Sequence, residues 1–431
     1  MAYRDFSLSD DLYRKTLQSI PLATQTHSKS ALNFPKGVSP NFFNRGAGAI
    51  VWDVDDNRYV DYVLGLLPIV LGYQDPDVDK AIRTQLDKGI IFSLATELEL
   101  ELAERLLELI PCADMVRFGK NGSDVTAAAI RLARAHTGRD RVAVCGYHGW
   151  HDWYIGTTTR NLGVPEAVQS LSSQFKYNDV NSIESLLSND PDGFAAIILE
   201  PAGMEDPRSG FLKEVRELAN FYGSVLIFDE IITGFRIDLG GAQKFYGVTP
   251  DLACFGKAMA NGMPIAALVG RAEIMTHLEK IFFSTTFGGE ALSLAAAIAT
   301  IDKLKATDAT KRMSTLGARL KSMAREVLNS LNLTTRFNVG GPDWRPVVTS
   351  RDKNPILATS LLRQELIENG IFMGSAFNLC LAHDDDQVFA NTKSAWKQAM
   401  YSVSKALSSS NPADWMRGEL IQPVFQVRPK S

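Results

Sequence analysis

A chain of 431 residues is too long for one simple core, so two or three subdomains are expected. With 45% hydrophobic and 22% charged residues it has the composition of an ordinary soluble globular protein. A formal net charge of −4, with no block of basic residues interleaved with aromatics, argues against a nucleic-acid partner.

Met1-Ala-Tyr-Arg-Asp-Phe-Ser-Leu-Ser-Asp10 carries acids where a signal peptide would be apolar. The most apolar stretch, Val63 to Leu71, is too short to span a bilayer and contains Pro68. A cytoplasmic protein with no membrane partner is therefore expected. The four cysteines, Cys112, Cys145, Cys254 and Cys380, are scattered without a CxxC pair. They suggest buried thiols in a reducing compartment, and neither a zinc knuckle nor a disulfide framework.

Residues 1 to about 50 mix short helical patches with breaks such as Pro35-Lys-Gly-Val-Ser-Pro40, as an arm laid over other parts of the protein would. Ile50 to Asp61 reads as a hairpin turning at Asp55-Asp-Asn57. From about Thr96 helix and strand alternate: Glu97 to Ile110 is amphipathic, and Ser123 to His136 is Ala-rich and helical. Arg141 to Cys145, Phe194 to Leu199 and Val225 to Phe228 are continuous apolar runs, the pattern of parallel strands buried on both faces. An α/β sheet with helices on both sides is the expectation.

Beyond the helix-rich stretch Ala291 to Leu331 a smaller α+β unit is predicted, with helices at Leu357–Asn369 and near Asn391–Leu407. A polar, then extended, tail follows from Ser408. The expected divisions are residues 1–80 (arm and part of a small domain), 81–330 (large α/β domain) and 331–431 (C-terminal small α+β domain and tail).

Chemistry concentrates where predicted strands end. Phe118-Gly-Lys-Asn-Gly-Ser123 places a Gly-Ser turn before an Ala-rich helix, where free N–H groups and the helix dipole favour an anion; a plain helix cap is the competing reading. Tyr147 follows another strand and could stack on a flat ligand. His148, His151 and Asp152 could be read as metal ligands, but no second group at suitable spacing accompanies them, so no metal is assigned. Glu200 closes the strand Ile198-Leu199, either as a site carboxylate or as a structural cap. Asp229 ends Val225-Leu-Ile-Phe228, and Lys257 follows the apolar run Leu252 to Phe255. An amine and a carboxylate at neighbouring strand ends suggest a pyridoxal 5'-phosphate site, with Lys257 holding the aldehyde as a Schiff base and Asp229 keeping the pyridine nitrogen protonated. Thr286, in Ser284-Thr-Thr-Phe-Gly-Gly289 ahead of a helix, could add a second phosphate contact.

Asn121-Gly-Ser-Asp124, Tyr147-His-Gly149, Leu199-Glu-Pro201, Asp229-Glu-Ile-Ile-Thr-Gly-Phe-Arg236, Phe255-Gly-Lys257 and Thr286-Phe-Gly-Gly289 resemble, in order and spacing, the class III aminotransferases. The branch containing glutamate-1-semialdehyde aminomutase is the most similar. The resemblance spans residues 35 to 405 and implies the fold-type I architecture: a large, mixed but mostly parallel sheet domain with a smaller α+β domain built from the N- and C-terminal segments. It implies that Lys257 is the Schiff-base lysine and general base and that Asp229 is the partner of the pyridine nitrogen. Gly122 and Ser123 then cradle the phosphate, and Tyr147 stacks on the ring with His148 among the cofactor-binding residues. Ile232 packs on the other ring face, Glu200 lies near the substrate side, and Thr286 reaches the cofactor of a neighbouring subunit in a homodimer.

Departures from the aminomutase pattern bear on substrate. An arginine that follows Ser-Pro-Val and binds the substrate carboxylate there is absent from the matching stretch Val38-Ser-Pro-Asn41-Phe42, a Trp-Gly pair is replaced by Leu66-Leu67, and the loop Trp150 to Pro165 is shorter. Trp344-Arg345 and Arg236 could contact a carboxylate or phosphate. The expected activity is amino transfer from a small-molecule donor to a small carbonyl acceptor, such as a sugar or secondary-metabolite intermediate. The alternatives are aminomutase-type intramolecular transfer, a decarboxylase or racemase on the same cofactor, and a non-catalytic scaffold.

Overall fold

The computed structural model describes residues 3–422; the expected extended end of the tail, residues 423–431, lies outside the described residues. Contacts divide the described chain into two compact units. One takes the chain up to Asp75 and again from Arg312, and the other is Pro76–Lys311.

In the first unit, β1 (Phe43–Ala47), β2 (Ile50–Asp53) and β3 (Arg58–Asp61) form an antiparallel meander, and Ile371–Phe372 adds a short parallel strand beside β3. The expected hairpin is present, and Asp53 organises its turn. One carboxylate oxygen accepts from the N–H groups of Asp55 and Asn57 at 3.0 and 2.8 Å, and the other from Tyr59 Oη at 2.8 Å. Such side-chain bonds replace the ladder bonds that a turn cannot make. Helices Pro355–Glu368 and Asp386–Ser408 pack together in the same unit. The last helix begins before the expected Asn391, because Asp385 accepts from Val388 N–H and caps it upstream.

The second unit holds a seven-stranded sheet. Its strands are β4 (Met115–Gly119), β5 (Arg141–Cys145), β6 (Ser172–Gln174), β7 (Phe194–Leu199), β8 (Val225–Asp229), β9 (Leu252–Phe255) and β10 (Ala266–Gly270). Their spatial order is β4-β10-β9-β8-β7-β5-β6. The neighbours from β6 to β9 pair in parallel, whereas β10 runs antiparallel to both β9 and β4. Every residue of β7, β8, β9 and β10 is buried, which is why these segments read as unbroken apolar runs. From β5 the chain goes outward to β6 and then returns to β7 on the opposite side of β5. Such a switch point leaves a crevice at the strands' carboxyl ends. Among the described residues no helix is long and apolar enough to cross a membrane.

Candidate active site

Register brings the strand ends together. Cys145 pairs with Leu199, Leu199 with Phe228, and Asp229 with Cys254. Gly146, Glu200 and Asp229 therefore stand along one sheet edge, and Lys257 emerges three residues beyond Cys254. The backbone of Lys257 has a φ of +41°, in the left-handed region. For a non-glycine residue that costs on the order of 1 kcal/mol, and such strain persists where surrounding structure imposes it, often at functional sites.

Asp229 is buried, and its Oδ2 lies 2.8 Å from Nδ1 of the equally buried His148. His148 Nε2 lies 3.1 Å from the carbonyl oxygen of Cys145. Both ring nitrogens thus face oxygen atoms, one of them the Asp229 carboxylate. His148 is consequently spent on holding Asp229 and is not available as a metal ligand. The other Asp229 oxygen accepts from Ile231 N–H at 3.2 Å. Glu200 accepts from Tyr147 N–H at 2.9 Å. Desolvation pushes the Glu200 carboxyl above its ordinary range and the Asp229 charge adds to this, while His148, the Tyr147 N–H and Lys257 oppose it. Burial, then the charges of Asp229 and Glu200, raises the Tyr147 phenol.

The helix Gly122–Thr137 opens at the same edge, because β4 ends at Gly119 opposite Ala266 of β10. A capping box closes its start, with Asp124 Oδ2 accepting from the N–H of Asn121 at 2.8 Å. Trp150 N–H donates to Ser123 Oγ at 3.3 Å, and Thr126 Oγ donates to the His148 carbonyl at 2.9 Å. The first helical turn therefore carries the Tyr147–Trp150 loop. At Gly149, with a φ of +102°, an added Cβ would run into Ser123. Gly149→Ala should weaken binding of an anion at this turn by about tenfold or more, through backbone strain and displacement of Ser123. Titration of cofactor into the stripped variant checks this, and an unchanged dissociation constant would refute it.

The structure thus brings together Lys257, Asp229, His148, Glu200, Tyr147, Gly122 and Ser123. Thr286 stands outside these contacts, exposed on the turn Thr285–Gly288. Ile232 is half-buried, and it is Ile231 whose side chain packs against Gly122 and Gly256. Sequence reasoning missed Ile231. Strand alternation stops at Asp229, so nothing in Ile231-Ile232 said which one turns inward. Tyr154 was also missed: its Oη donates to the Gly146 carbonyl at 2.7 Å and its ring edge meets His148, from a helical turn, Asp152–Ile155, inside the segment read as a loop.

Glu230, next to Asp229, is a buried helix cap rather than a site carboxylate. It accepts from Thr233 Oγ and from the N–H groups of Ala242 and Gln243 at 2.7 and 2.9 Å. Burial pushes its carboxyl up to about 6. The folded state therefore binds this proton more tightly than the unfolded state, whose carboxyl keeps the ordinary 4.5. As pH falls from about 6 to 4.5, Glu230 should add stability of up to about 2 kcal/mol. Unfolding of wild type and Glu230→Gln at pH 7 and pH 4.5 tests the sign: wild type should gain relative to the variant on acidification.

Residues 34–335 match the family model "Aminotransferase class-III". The chain belongs to the class-III aminotransferases. The 3-aminobutyryl-CoA aminotransferase of Cloacimonas acidaminovorans (strain Evry) is 39% identical over 388 residues, covering 87% of this chain and 92% of that protein. The glutamate-1-semialdehyde 2,1-aminomutase of Roseiflexus castenholzii (strain DSM 13941 / HLO8) is 36% identical over 401 residues, covering 86% and 92%. The solved PLP internal aldimine form of the FumI protein of Sphingopyxis sp. MTA144 matches with a TM-score of 0.85 at 27% identity, over 95% of this chain and 100% of that one. The mixed, mostly parallel sheet is that of the fold-type I enzymes, and pyridoxal 5'-phosphate is the cofactor of this class-III aminotransferase. The site's donor set fits that group, offering a buried carboxylate, a lysine amine and a helix N-terminus with glycine and serine at one edge.

Proposed function

We propose that this enzyme transfers an amino group between two separate small molecules, an amino donor and a carbonyl acceptor other than glutamate semialdehyde. The observation that carries this is the absence of an arginine from Val38-Ser-Pro-Asn-Phe42. The stretch that carries a carboxylate-binding arginine in the aminomutase pattern is Val38 to Phe42 here: Asn41 donates its N–H to Ser9 Oγ at 2.7 Å and its Nδ2 to Asp10 at 3.2 Å, and Phe42 follows it. The stretch offers a short neutral amide tied to the first helix of its own unit and a phenyl ring, neither of which can replace a guanidinium fork.

When bound, pyridoxal phosphate supplies the electron sink for charge developing on the substrate carbon. Lys257 would carry its aldehyde, Gly122 and Ser123 its phosphate, Tyr147 and Ile231 the two ring faces, and Asp229 the ring nitrogen. Asp229 would keep that nitrogen protonated, because His148 holds the buried carboxylate in place. Freed from the cofactor, the Lys257 amine would take the proton from the substrate carbon and deliver it to the former aldehyde carbon, the shift that amino transfer requires.

The similarity to a 3-aminobutyryl-CoA aminotransferase makes 3-aminobutyryl-CoA the first donor to assay, beside common amino acids, with sugar ketones among the acceptors. The deciding experiment loads the protein with the amine form of the cofactor and adds glutamate semialdehyde. Little or no 5-aminolevulinate is expected, and rapid formation would overturn the proposal in favour of the aminomutase.

The enzyme acts as a homodimer in this reading. Leu100, Phe282 and Phe287 expose large apolar side chains in or beside the Thr286 loop, as a face covered by a second copy would. Sedimentation of the cofactor-loaded protein should give a two-copy species, and a fully active monomer would contradict it. Four free, buried cysteines support a cytoplasmic setting, which cell fractionation tests.

A further inference from the structure

The loop that carries Thr286 is strung along the same strand that leads into the phosphate turn. Arg131 Nη1 donates to the carbonyl of Phe282 at 2.5 Å, and Arg117 Nη2 to that of Phe283 at 3.1 Å. Gly288 lies against the backbone oxygen of Phe118, so closely that a Cβ there would come within 3.1 Å of it. The last of these ties is an ion pair, Lys120 Nζ to Glu290 Oε2 at 2.9 Å, with side chains only 16% and 11% exposed.

Each end of the pair is fixed to a functional segment. Lys120 N–H donates to Asp124 Oδ2 at 3.0 Å, inside the capping box that opens at Gly122 and Ser123. Glu290 caps the helix Ala291–Ala306: it accepts from Leu292 N–H at 2.7 Å and from Ser293 Oγ at 2.6 Å, and Lys120 Nζ also reaches Ser293 Oγ at 3.2 Å. Glu290 N–H bonds back to the Phe287 carbonyl at 3.2 Å. One half-buried charge pair thus spans from the turn that cradles a phosphate to the loop four residues after Thr286.

We propose that Lys120 and Glu290 are positioning residues: their ion pair sets the Thr286 loop relative to the phosphate turn. This rests on the homodimer reading above, in which Thr286 serves the cofactor of the second copy. It adds to that reading that each protomer's own phosphate turn aligns the loop serving its partner. The two cofactor sites of a dimer are then mechanically linked through Lys120 and Glu290, without either residue touching the reacting atoms.

The test is a double-mutant cycle read by cofactor affinity. Pyridoxal phosphate is titrated into the stripped protein and followed by visible absorbance, and thermal unfolding checks that each variant is folded. Lys120→Met, Glu290→Gln and Thr286→Ala should each raise the dissociation constant by about tenfold, while Lys120→Arg stays within about twofold of wild type. The pair Lys120→Met with Thr286→Ala should be no weaker than the weaker single variant, because both remove the same contact. A double variant near the product of the two single losses, about a hundredfold, overturns the proposal while leaving the homodimer reading intact. A Glu290→Gln protein that binds as well as wild type while Lys120→Met binds weakly also overturns it, since Lys120 would then act on the phosphate directly. If Thr286→Ala alone has no effect, the Thr286 assignment falls and the strut falls with it.

Discussion

Lys257→Ala should lower kcat by at least about 10³-fold under saturating substrate, the largest single loss expected anywhere in the chain. Two roles vanish together: the covalent hold on the cofactor aldehyde and the amine that moves the substrate proton. A positioned general base alone contributes about 10²- to 10⁴-fold. The turn at Gly122 and Ser123 is untouched, so the variant should still take up some cofactor, now removable by dialysis. Borohydride should fix the cofactor covalently to wild type and leave it unattached in the variant. The left-handed backbone at residue 257 makes a second consequence measurable. Alanine meets the same backbone cost there as lysine, so the variant should remain folded without cofactor, and a collapse in stability would mean that activity was lost by unfolding. A variant turning over near the native rate would falsify the assignment.

Asp229→Asn should cost about 10²- to 10³-fold in kcat and, separately, about 2 kcal/mol of stability. The two losses have different origins. The catalytic one arises because a neutral amide cannot hold the cofactor's ring nitrogen protonated. The stability loss arises because His148, fully enclosed and 2.8 Å from Asp229, loses the charged acceptor. A hydrogen bond to a charged group is worth about 1.5 to 3 kcal/mol, and the amide oxygen that replaces the carboxylate is a weaker acceptor. Asp229→Glu retains the charge and should recover part of the activity while disturbing the packing. Chemical denaturation measures the stability term and single-turnover kinetics the catalytic one. An Asp229→Asn enzyme with native kcat would remove Asp229 from the mechanism.

Much of the large unit was legible in the residues. Phe194-Ala-Ala-Ile-Ile-Leu199 and Val225-Leu-Ile-Phe228 have no polar face, and a strand with no polar face must be covered on both sides. Each such run ends in a chemistry-bearing residue, so Glu200, Asp229 and Lys257 could be singled out without coordinates. The helix after Asn121-Gly-Ser123 was equally plain, because capping residues and an Ala-rich run act locally. The start of the last helix was less so: Asp385 lies outside the stretch where the periodic pattern is clear, and its cap extends the helix upstream.

Other features have no local signal. His148 and Asp229 are far apart in the chain, and their hydrogen bond exists because β7 stands between β5 and β8. The reversal of β10 is likewise invisible in Ala266-Ala-Leu-Val-Gly270, since a buried strand reads the same in either direction. Ile231 and Ile232 are chemically identical, and only the turn after Asp229 decides which of them packs on Gly122.

By itself, then, the sequence determined several buried strands and helices of the large unit and the class of cofactor, because burial on both faces, helix capping and turn chemistry are local properties. The tertiary structure alone decided the pairing of His148 with Asp229, the choice of Ile231, the commitment of Asn41 to Ser9 and Asp10, and the Lys120–Glu290 tie. Those depend on which strand ends lie side by side and on which way the chain turns after them, and neither is encoded within any one segment.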